Sequence, residues 1–157
     1  MPGFSHVGVA TLDIETTIDF YTRKLGFRRV ADHRTSIREG GELRQVYFEV
    51  GCDEFIVFMA PTEVEGIPNS FPTGINEALG TPAGMYHFAF KVDTMDDLEA
   101  MRDRLLASDI DVSDCIDLGH AHSIFLADPN GLQIEFCFHS RPFEDADLNR
   151  TNEASIA

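Results

Sequence analysis

Residues 4–10 read Phe4-Ser5-His6-Val7-Gly8-Val9-Ala10, and residues 85–92 read Met85-Tyr86-His87-Phe88-Ala89-Phe90-Lys91-Val92. Each is a short, mainly apolar run of strand length. Each holds one histidine, and His6-Val7-Gly8-Val9 lies over His87-Phe88-Ala89-Phe90 at an offset of 81 residues. After the first run, Asp13 offers an N-cap, and Ile14, Ile18, Tyr21 and Leu25 recur at helical spacing until Gly26. After the second, Thr94 offers the cap, Asp96 and Asp97 suit the first turn, and Leu98, Met101 and Leu105 form the buried stripe. These helical stripes superpose at an offset of 80 residues, as expected for an internal duplication.

Three strands are expected to follow each helix: Phe27 to Ala31, Leu43 to Val50 and Phe55 to Met59, then Ile110 to Ile116, His122 to Ala127 and Leu132 to Phe138. Asp128-Pro129-Asn130-Gly131 supplies a strong turn before the last strand. The predicted fold is α+β, two βαβββ modules forming a curved mixed sheet around a cleft, within one domain spanning 1–157. Module one covers 3–60 and module two 84–139. Between them, 61–83 is a linker or lid rich in Pro, Gly, Thr and Asn, and the polar tail 140–157 is either loose or laid on a neighbouring subunit.

Composition narrows the function. With 43% hydrophobic residues and thirteen Phe the chain can bury a core. A formal charge of −15 repels phosphate backbones and anionic lipid, so neither nucleic acid nor membrane is an expected partner. No apolar run reaches membrane-spanning length and no signal-like segment opens the sequence, so the expected location is cytoplasmic. Cys52, Cys115 and Cys137 lack the paired spacing of a disulfide or zinc framework.

Taken singly, a histidine in a strand is more often a packing residue than a ligand, and Glu135 within Leu132–Phe136 reads as the solvent face of an alternating strand. Together, two histidines at equivalent points of a repeat and a carboxylate in the last strand make a facial set for one divalent metal: His6, His87 and Glu135. His120 and His122 are candidate acid–base groups on the strand entering the Asp128 turn. His33 and His139 are read as structural.

At these residues the chain resembles the vicinal-oxygen-chelate superfamily, which includes glyoxalase I, extradiol ring-cleavage dioxygenases, methylmalonyl-CoA epimerase, fosfomycin-resistance transferases and bleomycin-binding proteins. The resemblance spans roughly residues 4 to 138 and rests on the His6 and His87 strands, Phe20-Tyr21, Leu25-Gly26-Phe27, and the run from Ser123 through Asp128-Pro129-Asn130-Gly131 to Phe136. It implies the same ligand set, a small-molecule substrate and a homodimer. Matching the last strands of the two modules puts Phe58 opposite Glu135, where glyoxalase I resembles a four-ligand site with a carboxylate. The glyoxalase reaction is therefore disfavoured, and an extradiol-type oxygenase on an aromatic diol is favoured, with Phe58 and Phe125 as apolar substrate-binding positions. Phe125 stands where the ring-cleavage signature has Tyr. Fe(II) is the expected metal, with Mn(II), Ni(II), Co(II) or Zn(II) also compatible with the donors. An isomerase or lyase on a 2-oxo or 2-hydroxy substrate, and a metal-free module that binds a flat aromatic compound, remain open.

Overall fold

Each half of the chain begins with a strand running parallel to the last strand of its own sheet, and that pairing decides where the histidines stand. The computed structural model describes residues 3–151. The first sheet contains β1 (His6–Ala10), β2 (Arg28–Ser36), β3 (Glu42–Gly51) and β4 (Glu54–Thr62), in the order β1-β4-β3-β2. The second contains β5 (His87–Val92), β6 (Ile116–Asp117), β7 (Ala121–Ala127) and β8 (Gln133–His139), in the order β5-β8-β7-β6. Among the described residues only β1–β4 and β5–β8 are parallel pairs, so both sheets are mixed and the fold is α+β, with βαβββ written twice.

The connecting helices follow their caps. Asp13 accepts a hydrogen bond from the Thr16 amide at 3.0 Å and starts α1 (Ile14–Asp19), while Thr94 and Asp97 cap each other's amides to start α3 (Met95–Leu106). The sequence predicts one regular helix as far as Leu25. Instead Phe20–Lys24 winds as a π-helix, and the consecutive pair Phe20 and Tyr21 are both buried there. Gly26 ends the segment at φ +84, a left-handed conformation that suits glycine.

Two strands depart from expectation. β2 runs five residues past Ala31, because Asp32 to Ser36 form a polar edge held to β3 by Arg44–Asp32 and Arg34–Glu42 ion pairs, a support that apolar periodicity does not register. The strand expected from Ile110 to Ile116 shrinks to a bridge between Val112 and Leu126 plus the two residues of β6. There Arg102 from α3 donates to the Ser113 carbonyl at 2.9 Å, occupying a backbone acceptor a ladder would have used, and to the Asp114 carboxylate at 2.7 Å.

The helix-facing sides of both sheets close on one core. Tyr21 stacks on Phe48 at 5.3 Å and packs on Phe58 at 4.7 Å, while Phe27 meets Phe90 edge-on at 5.0 Å and Phe136 at 6.2 Å. A polar knot joins the modules beside it. The Tyr21 hydroxyl donates to Asp128 at 3.2 Å, and Asp128 also accepts from the Asn130 amide, the Leu132 amide and the Asn130 side chain. Burial pushes both the Asp128 carboxyl and the Tyr21 phenol above their usual ranges.

The segment 61–83 carries a short α2 (Ile75–Leu79) and is fastened at two points. Thr73 donates to the Asn130 carbonyl at 2.8 Å, and Asn76 exchanges hydrogen bonds with the Tyr86 backbone. The described part of the tail folds back on its own chain: the Ser140 amide donates to the His120 carbonyl, and Arg141 makes a two-pronged bond to Asp147. Residues 152–157, the rest of that tail, lie outside the described residues, as do Met1 and Pro2. Among the described residues no helix is long and apolar enough to cross a membrane.

Candidate metal centre

Alternation along β8 sends Ile134 and Phe136 into the core and leaves Gln133, Glu135 and Cys137 on the opposite face. Register then fixes the neighbours of Glu135 on that face. Ala89 of β5 and Phe125 of β7 pair with it directly, and His87 and Ser123 stand one step along. His87 Nε2 lies 3.1 Å from Glu135 Oε2. Its other ring nitrogen, Nδ1, is 2.7 Å from the Gly84 carbonyl oxygen. Because a carbonyl only accepts, Nδ1 carries a proton, which leaves Nε2 directed at the carboxylate.

Glu135 is held with similar definition. Only 6% exposed, it accepts a 2.5 Å hydrogen bond at Oε1 from Ser123, which is fully buried. That bond offsets part of the cost of burying the carboxylate and leaves Oε2 for His87. Cys137 lies beside the same pair, and burial raises its thiol pKa. The ring of Phe125 approaches His87 edge-on at 6.4 Å.

Nε2 and Oε2 thus share one position between them, which either a proton on Nε2 or a metal ion satisfies. Two ligand atoms about 2.1 Å from one ion and at right angles stand about 3 Å apart, which matches the observed separation. The Nδ1-to-carbonyl bond and the Ser123 bond are the orienting contacts that metal-ligating histidines and carboxylates commonly have. The pair therefore fits a divalent ion as part of its donor set. Among the described residues no three His, Cys, Asp or Glu side chains come close enough together to hold a metal.

His6 occupies the matching place in module one. It faces away from the core with Phe55, Val57 and Met59 of β4, its Nδ1 is 3.3 Å from the Ser5 hydroxyl, and its ring lies 6.3 Å from that of Tyr47. The register here corrects the overlay of the last strands. Glu135 pairs with Ala89, two residues after His87; two residues after His6 is Gly8, which pairs with Val57. The counterpart of Glu135 is therefore Val57. Phe58 points to the other side, fully buried between Tyr21 and Phe48, and lines no cleft. One residue of slip moves a strand side chain to the opposite face. Val57 is buried yet stands outside the common core cluster, as its place on the His6 face requires.

Comparison with known proteins identifies the superfamily and the fold. The family model described as the Glyoxalase/Bleomycin resistance protein/Dioxygenase superfamily matches residues 3–136. The chain belongs to this superfamily. Its fold is shared with the protein SMU.1112c at 22% identity and a TM-score of 0.66, over 87% of this chain and 98% of that one. It is also similar to TnmS3, an antibiotic binding protein from Streptomyces sp. CB03234 (21% identity, TM-score 0.60, 89% and 98% covered). A third likeness is to lactoylglutathione lyase from Agrobacterium tumefaciens (16% identity, TM-score 0.61, 88% and 94% covered). No curated protein matches the chain in sequence.

Within this superfamily fold the two expected acid–base histidines stand away from the His87–Glu135 pair. His122 pairs with Phe138 and stacks on it, on the face of the sheet opposite Glu135, because it alternates with Ser123. His120 sits beyond the start of β7, its ring 5.7 Å from His139 and 4.9 Å from Phe143. His139 is four residues past Glu135 on β8, roughly 13 Å along the strand. Three residues of interest are not picked out as site residues by the sequence. Ser123 was visible only as a polar residue inside an apolar strand. Tyr47 and His33, on the His6 face, carry no spacing signal because they come from different strands.

Proposed function

We propose that the chain is a divalent-metal enzyme of this superfamily that takes a small substrate through two adjacent oxygens, with ring-cleaving oxygenation favoured over lyase or isomerase chemistry. One observation carries the reading: the 3.1 Å approach of His87 Nε2 and Glu135 Oε2, each atom aimed by a separate hydrogen bond from behind. His87 and Glu135 hold the ion, and His6 of a second copy of the chain completes the set. The two metal-facing walls turn away from a core that both modules share, which favours a site closed between subunits over one closed within a chain. When bound, the ion supplies a Lewis acid with open positions for a chelating substrate; Fe(II) suits oxygenation, and the same donors accept Mn(II), Co(II), Ni(II) or Zn(II).

The chain's own residues set the rest. Gly84 keeps a His87 proton on Nδ1, Ser123 keeps one carboxylate oxygen of Glu135 occupied, and Phe125 stands edge-on beside the His87 ring. Val57 offers no carboxylate at the place where proton transfer next to a carbonyl would need a base, which argues against the glyoxalase reaction. Two exposed, unpaired thiols, Cys52 and Cys115, suit a reducing, cytoplasmic setting.

The test is the metal content of protein purified without oxygen, beside a His87→Ala variant, followed by oxygen uptake with catechols. Near-stoichiometric iron that the variant loses, with oxygen consumed, is the expected result. Metal without oxygen uptake would favour the lyase or isomerase reading, and protein that takes up no metal would leave a binding module.

A further inference from the structure

The wall that carries His6 has more on it than a metal ligand. Tyr47, half-buried on β3, is the hub of three ring contacts: His33 at 5.6 Å, His6 at 6.3 Å and Phe55 at 6.4 Å, all tilted or edge-on. Register puts these side chains on one face: Tyr47 pairs with Val57 and Ala31, His33 with Gln45, and His6 with Phe55. No hydrogen bond holds the Tyr47 hydroxyl or the His33 ring among the described residues. Gly8 keeps the wall low beside His6, since a Cβ there would meet the Met59 methyl at 3.3 Å.

We infer that Tyr47 and His33 form a substrate-recognition subsite for a planar aromatic compound bearing ring oxygens, adjoining the oxygen-chelating position at His6. Aromatic rings take a flat ligand by stacked or edge-to-face contact. A phenol and an imidazole side by side add a donor and an acceptor able to read a ring hydroxyl or carbonyl. The chain's formal charge of −15 favours a neutral or weakly acidic aromatic over a polyanion. Tyr47 and His33 act here as specificity-determining residues, not as acid or base. The inference deepens the proposed function and rests on its reading of the His6 face as the substrate face.

The test titrates the full-length protein, as purified and without oxygen, with two probes. One is 4-nitrocatechol, followed by its visible absorption; the other is glycolate, which presents two adjacent oxygens without a ring, followed by calorimetry. Tyr47→Phe and His33→Phe keep a ring at each place and remove its hydrogen-bonding group, and their melting temperatures should match the parent. Each is expected to weaken 4-nitrocatechol about fivefold, the worth of one ordinary hydrogen bond, and to leave glycolate and metal content unchanged. Unaltered 4-nitrocatechol affinity in both variants, with binding lost in His87→Ala, would overturn the subsite and leave the metal reading standing. Equal weakening of both probes, or no 4-nitrocatechol binding by the parent, would also overturn it. Binding that survives His87→Ala and still falls in Tyr47→Phe would uphold the subsite and sink the metal reading instead.

Discussion

Ser123 shows how much a single buried hydroxyl can decide. Its 2.5 Å bond takes one oxygen of Glu135 and leaves the other toward His87, which favours a carboxylate that ligates through one atom. Replacing Ser123 with Ala leaves that oxygen buried without its donor. Orienting partners of this kind typically account for 10- to 100-fold in metal affinity. Ser123→Ala is expected to weaken Co(II) binding at least about 10-fold in competition with a chromophoric chelator, and to alter the visible spectrum of the bound ion, whereas Ser123→Thr keeps both. An Ala variant with parental affinity and spectrum would mean that Ser123 only fills space.

At the scale of elements, the two parallel strand pairs β1–β4 and β5–β8 matter most, since they turn sequence position into facing. His6, His87 and Glu135 could be picked out before any coordinates because each is a polar residue in an apolar strand, and the repeat made two of them equivalent. The register between strands could not be read that way. Aligning the last strands by their apolar residues misplaces β4 by one, which is enough to exchange Val57 for Phe58. For the same reason His122 was expected in the cleft, although it alternates with Ser123 and so faces the other way. β2 was underestimated where ion pairs replace apolar alternation. If Phe58 is core, Phe58→Ala should cost roughly 3–5 kcal/mol of stability in denaturant titrations and spare the metal affinity of the folded fraction. The converse, a stable protein with weakened ligand binding, would restore Phe58 to the cleft.

For the whole molecule, the shared core turns the His6 and Glu135 faces of the two sheets away from the packed interior. Tyr21 and Phe27 lie against the helix-facing sides of both sheets, and the Tyr21–Asp128 bond ties the first helix to the turn before β8. The duplication was legible in the sequence, but the relation between the halves was not, because it depends on contacts between residues far apart in the chain, such as Phe27 with Phe90. On the proposed reading, His87 and Glu135 of one copy hold a metal with His6 of another. That reading is tested most directly by co-expressing His6→Ala and His87→Ala chains and measuring metal in the purified mixture. In a shared site, each mixed dimer retains one intact set, so random pairing should restore about one quarter of the parental metal, although each variant alone binds none. A mixture as empty as its two parents would contradict the account.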